Sequence, residues 1–570
     1  MMSTIKYWVS PLSKKQSRWL RLSAIPWAAC MIMFAIWWFN PVHQISLLGS
    51  LLGSALFLYE ALTPGYFYNF LRRIKIVNPE LQPDPNWRLA IVVTKAPSEP
   101  WSMVKNTLEA MLQQDIPHDT WLADEDPSDE TLEWCQANHV MVSTRRGVPE
   151  YHRKEWPRRT KCKEGNLAYF YDFYGYASYD IVAQLDADHV PAPDYLRNIV
   201  IPFHDPSVGY VAAPSICDNN AAESWSARGR LYAEATLHGP LQAGYNDKWA
   251  PLCIGSHYCV RTNALKDIGG LGPELAEDHS TTLMMNSKGW NGVFQPNAIA
   301  HGDGPASFMD CMIQEYQWSR SLFMILLQWS PKLMRGLTLR KKFQFLFSQV
   351  WYSLFSSVAI IGFLIPILCL AIDRPLLRMS YLIFVVFSFS AMLLNLIPAT
   401  LLKHFKLLRP QDARVISWEY PLFTLTRFPW VLGGILDGFI SVITSRDIVF
   451  RVTPKGSDRQ PRLPLRALSP YLLISLFSSL AVLAFHNNIY TKGYYFLASV
   501  SSISLSVAAL VVVLIHLQEG GWKAKRSHTV GIISAISALL FAFFSGGIKL
   551  KNSLTAVTYT QASDKLGSIR

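Results

Sequence analysis

Long uncharged runs at both ends of the chain enclose one long polar stretch. Residues 22–39 and 42–59 form a first pair of such runs. Residues 343–372 and 379–402 form a second pair, and 467–491, 493–518 and 527–548 form a final set. Each approaches or exceeds the roughly 20 apolar residues with which a helix crosses a bilayer. Residues 420–444 are also apolar and aromatic, but Arg427 and Asp437 interrupt them. A charge at mid-bilayer costs about 2.5–3.5 kcal/mol. This stretch is therefore expected to lie in the membrane interface. The remaining runs predict seven crossings, with the C-terminal tail outside.

The flanking charges orient these helices. Lys14, Lys15, Arg18 and Arg21 precede the first pair, and Arg72, Arg73 and Lys75 follow it. Positive charge on both sides predicts a hairpin with both ends in the cytoplasm. Lys403, Lys406, Arg409 and Arg414 mark a second cytoplasmic loop, and Lys523, Lys525 and Arg526 a third. Lys549 and Lys551 fit an outside tail poorly. Neither a short apolar core nor a small-residue cleavage site precedes Pro41, so no cleaved signal peptide is expected.

Between residues 83 and 333 the pattern changes to short apolar runs alternating with helical periodicity. Residues 89–94, 121–124, 141–144 and 181–186 read as strands, and 98–113 as a helix. Such alternation predicts a doubly wound α/β sheet, with ligands at the carboxyl ends of its strands. Asp124, Asp126, Asp186 and Asp188 fall there. The expected organisation is an N-terminal membrane hairpin (1–82), a soluble domain (83–335) and a membrane helix pair (336–402). An interfacial segment with a following loop (403–466) and C-terminal membrane helices with a tail (467–570) complete it.

Composition agrees with a membrane protein. Of 570 residues, 50% are apolar and only 16% charged, which argues against a soluble enzyme, a disordered tail or a secreted disulfide scaffold. Eight cysteines include no C-x-x-C pair, so no zinc knuckle or thioredoxin site is signalled. The net charge of +12 suits cytoplasmic loops and a polyanionic substrate.

The chemistry concentrates in the polar stretch. Asp186-Ala187-Asp188-His189 places two carboxylates at a strand end, where they can hold Mg²⁺ against a substrate diphosphate. A D-x-D is common by chance, and its place after an apolar strand raises its value. Glu277-Asp278, after Gly269-Gly270-Leu271-Gly272, can supply a general base on the far side of a sugar from its leaving group. An acidic pair at a helix start is the bland alternative. Residues 152–163 hold six Lys or Arg in twelve, a charge run that is most often a solvated loop. They carry too few interleaved aromatics for nucleic acid, and none is expected as a partner. Trp318, in Gln314-Glu315-Tyr316-Gln317-Trp318, offers a flat face for a sugar or an interfacial anchor.

In this order and between membrane helices, these motifs resemble the processive family-two glycosyltransferases, bacterial cellulose synthase catalytic subunits above all. Phe450-Arg451-Val452-Thr453-Pro454-Lys455-Gly456 matches that family's gating-loop pattern F-x-V-T-x-K-G at all five fixed positions. The resemblance covers roughly residues 85 to 520 and implies an α/β domain of the GT-A type. That nucleotide-diphospho-sugar transferase fold would be inserted in a polytopic α-helical membrane protein.

By resemblance, Asp124 contacts uridine, with Glu125 where a second Asp is usual. Lys163 of Lys163-Glu164-Gly165-Asn166 contacts the diphosphate. Asp186 and Asp188 bind nucleotide and metal, Mg²⁺ or Mn²⁺, and His189 accompanies them. Asp278, beside Glu277, is the catalytic base, although Ala276 replaces the threonine of T-E-D. Gly255 and Ser256 lie near the acceptor, with Cys253 one place from its usual position, which Ile254 takes. Trp318 and Gln314 bind the acceptor sugar. Phe450, Thr453 and Lys455 belong to the loop that closes over nucleotide. One departure stands out. Gln317 occupies the arginine position of Q-Q/R-x-R-W, and Glu315 precedes it. A neutral amide brings no fixed charge to a leaving group. Lys163, Lys455 and Arg320 are the candidates to supply it.

The resemblance implies a UDP-sugar-dependent hexosyltransferase in the plasma (inner) membrane with its catalytic domain in the cytoplasm. It would invert configuration, polymerise sugar processively from UDP-glucose into a β-glucan such as cellulose, and pass the chain through its own helices. A growing polysaccharide, the lipid bilayer and an accessory polysaccharide-export subunit are the partners so implied. A non-processive transferase acting on a lipid acceptor, and a transporter or pseudoenzyme that senses nucleotide, are the competing readings. Arg462 and Arg466 have the spacing of half a cyclic di-GMP motif, but no second element follows.

Overall fold

The computed structural model describes residues 6–566 except 45, 161, 378–380, 445–462, 486–490, 492 and 523–525. The gating-loop residues Phe450, Thr453 and Lys455 lie outside the described residues.

Helices α1 (Ala24–Trp38) and α2 (Leu47–Leu71) form the N-terminal hairpin. The second begins later than its apolar run and extends well beyond it. Asn40 and Pro41 open a short turn instead, and the Ser46 side chain caps α2 by accepting from the Gly49 N–H.

The polar stretch folds around a seven-stranded sheet. Its strands are β1 (Leu89–Lys95), β2 (Asp119–Asp124), β3 (Met141–Ser143), β4 (Ile181–Leu185), β5 (Val208–Ala212), β6 (His257–Arg261) and β7 (Asn291–Phe294). Their spatial order is β7-β5-β6-β4-β1-β2-β3. Strands β1 to β4 are mutually parallel and match the sequence expectation closely. The sheet is not doubly wound throughout, because β6 runs antiparallel to both β4 and β5. Strand β1, paired on both sides by β4 and β2, is buried along its whole length, which explains its unbroken apolar run. The predicted helix at 98–113 forms as Trp101–Leu112.

Three further helices of this domain matter below: α3 (Trp225–Glu234), α4 (Glu277–Ser287) and α5 (Phe308–Met324). Then come α6 (Leu339–Ile372), α7 (Tyr381–Leu394), α8 (Glu419–Thr444), α9 (Leu465–Ala484), α10 (Gly493–Glu519) and α11 (Arg526–Leu566). Among the described residues, eight helical stretches are long and apolar enough to cross a membrane, and α8 is one of them.

The domain and the membrane helices share packed interfaces. Phe70 of α2 meets the rings of Tyr245 and Trp249 edge-on. A Cβ on Gly244 would lie 2.6 Å from the Phe70 carbonyl oxygen, so only glycine permits this approach. Arg409, in the loop after the second helix pair, donates to the Pro296 carbonyl at 2.8 Å. That loop is therefore fixed to the domain.

Candidate active site

The site forms at the carboxyl ends of β1, β2 and β4. Asp124 ends β2 and is fully buried. Lys95, at the end of β1, places its Nζ 3.2 and 3.0 Å from the two Asp124 oxygens. The Asp126 N–H also donates to Asp124, at 3.0 Å. Sequence reading missed Lys95, which sits in an otherwise apolar strand. Glu125 turns away from this corner and pairs with the buried Arg145. Arg145 also donates to the carbonyls of Tyr151 and Arg159, both at 2.7 Å. The departure at Glu125 thus anchors the basic loop. Arg158 and Arg159 of that loop pair with Asp172 and Glu164.

Among the described residues of this stretch, Lys163 reaches the carboxylates. Its Nζ donates to Asp186 Oδ1 at 2.7 Å and to the Gly255 carbonyl at 2.6 Å. Burial opposes its charge, but Asp186, Glu277 and Asp278 outweigh that and hold the ammonium above its usual range.

Asp186, Asp188 and His189 offer ligand atoms all within 4.8 Å of one another. Oxygen donors with one imidazole suit Mg²⁺ or Mn²⁺, so these residues fit a divalent ion. Asp188 Oδ1 meets His189 Nδ1 at 3.2 Å, and Asp188 Oδ2 accepts from the Asp303 N–H at 3.0 Å. The second carboxylate is therefore oriented in advance.

Glu277 and Asp278 open α4, as read from sequence. Asp278 Oδ1 accepts from the His279 N–H at 2.7 Å. A Cβ on Gly255 would lie 3.4 Å from Asp278 Oδ2, so the acidic pair faces the Gly255–Ser256 turn. Burial, followed by the neighbouring Asp278 charge, pushes Glu277 up to about 8. Burial also raises Asp278, to about 6, against the His279 N–H and Lys163. Near neutrality Asp278 is the carboxylate and Glu277 keeps its proton. Two ties hold this corner. Cys253 N–H donates to Thr282 of α4 at 3.1 Å, and Ala276 N–H donates to Ser321 of α5 at 2.9 Å. Ser256 is buried, and its hydroxyl donates to Ser215 at 2.9 Å.

Helix α5 carries Gln314 and Trp318. Arg230 of α3, which sequence reading missed, lies on both. Its Nη1 donates to Gln314 Oε1 at 2.8 Å, and its guanidinium stands 4.4 Å over the Trp318 ring. Glu234, one turn on, fixes Nε at 3.2 Å. Burial opposes the Glu234 charge, but Arg230 overrides it and brings the carboxyl down to about 2. Glu315 pairs with Arg427 of α8 at 2.8 Å. Arg320, a candidate source of leaving-group charge, pairs with Asp437 of α8 at 3.0 Å.

Residues 181–402 match the family described as Glycosyl transferase family group 2. A cellulose synthase catalytic subunit (UDP-forming) of Xanthomonas axonopodis pv. citri (strain 306) is 27% identical over 307 residues, covering 52% of this chain and 40% of that protein. An N-acetylglucosaminyltransferase of Bradyrhizobium diazoefficiens is 26% identical over 159 residues, covering 26% of this chain and 32% of that protein. The chain thus spans less than half the length of these curated relatives. Among solved structures, a mannosyltransferase from Pyrobaculum calidifontis in complex with GDP-Man and Mn²⁺ matches with a TM-score of 0.41 and 15% identity, over 74% of this chain and 99% of that one.

Proposed function

We propose that this chain, which carries a GT-A-type glycosyltransferase domain of family two among membrane helices, is an inverting β-glycosyltransferase that elongates a polysaccharide from a UDP-sugar. The supporting observation is the Asp278 carboxylate, facing the Gly255–Ser256 turn within reach of the Lys163 charge. An acceptor hydroxyl on that side attacks C1 of the donor sugar. Its proton passes to Asp278, the C1–O bond to the diphosphate breaks, and the electron pair leaves with UDP. Attack opposite the leaving group inverts the anomeric centre.

Lys163 holds the diphosphate side through its ammonium, and Asp124 with Lys95 receives the uracil edge. When bound to Asp186 and Asp188, Mg²⁺ or Mn²⁺ supplies positive charge to the diphosphate. Trp318 gives the acceptor ring a flat face, the one opposite the face that Arg230 covers. The relatives named as cellulose synthases favour UDP-glucose as donor and a β-glucan as product, secreted through the membrane helices. The domain then faces the cytoplasm of the plasma membrane, where UDP-sugars are made.

One observation favours a second reading, transfer of a single sugar to a lipid acceptor. The rings of Tyr352, Phe355 and Phe423 stand 4.8 to 5.4 Å from the guanidinium of the Glu315–Arg427 pair. This apolar packing joins α5 to the membrane helices α6 and α8, a setting that suits a lipid acceptor.

Proteoliposomes given labelled UDP-sugars with Mg²⁺ or Mn²⁺ test both readings. A long product from UDP-glucose, degraded by a β-glucan hydrolase, is the expected result. A lipid carrying one labelled sugar establishes the second reading. UDP binding without sugar turnover refutes both.

A further inference from the structure

Helix α3 bridges two parts of the site that no sequence motif connects. Its cap residue Ser224 donates to the Pro305 carbonyl at 2.8 Å. Asn220 donates to the Gly304 carbonyl at 2.9 Å, and Asn219 to Asp303 at 3.2 Å. A Cβ on Gly304 would lie 2.7 Å from the Cβ of Ala227, so the first turn of α3 sits directly on this segment. The segment is the one whose Asp303 N–H orients Asp188. Arg230 follows Ala227 by about one turn of helix. Arg230 interacts electrostatically with Cys217, whose Sγ lies 3.8 Å from His189 Nε2, and its side chain crosses to Gln314 and Trp318.

Positions 314, 317 and 318 share one stripe of α5, spaced i, i+3 and i+4. Position 317 holds an uncharged glutamine, and the guanidinium of Arg230 arrives on this stripe from the facing helix. Glu234 takes its Nε and Gln314 takes its Nη1. Among the described residues Nη2 has no protein partner. Among the described residues, Arg320 is engaged by Asp437 and Arg427 by Glu315, while Lys163, assigned above to the diphosphate, is bonded to Asp186 and Gly255.

We propose that Arg230 is the guanidinium that holds the departing diphosphate, reaching it from α3 because position 317 does not supply one. This assignment rests on the transferase reading above. As the C1–O bond breaks, negative charge grows on the diphosphate, and a preoriented cation stabilises that charge most where water is excluded. The planar guanidinium fork matches phosphate oxygens. The Trp318 face and the Glu234 carboxylate fix its plane before substrate arrives.

The test uses the full chain in detergent with Mn²⁺ and compares UDP with UMP by titration calorimetry. Arg230→Gln should weaken UDP binding about tenfold or more while UMP binding holds, which also shows the variant is folded. Adding Gln317→Arg to Arg230→Gln should restore most of the UDP affinity, since it returns a guanidinium to the same stripe. Unchanged UDP affinity in Arg230→Gln overturns the assignment. An equal loss for UDP and UMP overturns it too, because it indicates a structural role only. If the wild-type chain binds neither nucleotide, the transferase reading falls and this assignment with it. Wild-type binding that ignores Arg230 removes the assignment alone.

Discussion

Adjacent buried carboxyl groups cannot both ionise cheaply, and Glu277 and Asp278 show how this site divides the work. Asp278 accepts the His279 N–H and feels Lys163, so it ionises first, with Glu277 still protonated beside it. A base must be ionised to accept the acceptor proton. Transfer from UDP-glucose should therefore rise with pH through about 6 and level off above it. Asp278→Asn should lower the rate by about 10²- to 10⁴-fold and remove that rise, with UDP affinity retained. A rate profile measured from pH 5 to 8 checks both. An Asp278→Asn variant with wild-type turnover removes Asp278 as the base. The acidic pair was legible in sequence because it is local. The resemblance named Asp278 as the base, but the reason Glu277 keeps its proton was not legible, because it depends on burial and on Lys163, far away in the chain.

Elements explain what looked like faults in the sequence pattern. Arg427 and Asp437 interrupt an apolar run because α8 lies along α5, where their partners Glu315 and Arg320 wait. A Cβ on Gly434 would lie 2.2 Å from the Tyr316 carbonyl oxygen, so the two helices meet backbone to backbone. Glu315 is fully buried, and removing only its partner strands a charge, at a cost of about 3–5 kcal/mol. Arg427→Leu should thus lower thermal stability in detergent sharply. Combining it with Glu315→Leu should recover most of the loss, because both charges then leave together. If the double variant is as unstable as the single, the pair is not what joins these helices. The same scale shows where pattern reading succeeds. Strands β1 to β4 follow apolar runs and were read correctly, and the long uncharged runs form long helices whose bounds differ from the reading, as at α2. Strands β5, β6 and β7 are short and carry polar or small residues, such as His257, Arg261 and Gly292, so no periodicity marked them. Arg230 reaches Gln314 across 84 residues of sequence, a distance no local pattern encodes.

At the scale of the whole molecule, two contacts constrain how the chain threads the bilayer. Glu419, at the start of α8, pairs with Arg228 at 3.0 Å. Glu519, at the end of α10, accepts the Trp225 N–H at 2.5 Å. Arg228 and Trp225 both belong to α3 of the catalytic domain, so the chain begins and ends this stretch on the domain's side. Among the described residues three helices lie between those points, and only an even number of them can cross. Helices α9 and α10 run antiparallel, joined by Ser475–Ser502 and Ser479–Ser502 hydrogen bonds at 2.8 and 2.7 Å, as a crossing pair should. Helix α8 is then the one that stays. Its pairs at Glu419, Arg427 and Asp437 with α3 and α5 run along most of its length, about 27 Å at 1.5 Å per residue. It should therefore rest in the interface against the domain, as its two charges suggest, although its length would let it span. Green fluorescent protein fused after Trp418, after Thr444 or after Gly521 should fluoresce in a bacterial host, where folding requires the cytoplasm. Alkaline phosphatase fused after Phe485 should be active, because that point lies across the membrane. Phosphatase activity after Thr444 would mean that α8 crosses and that the Glu419, Arg427 and Asp437 pairs do not hold it against the domain.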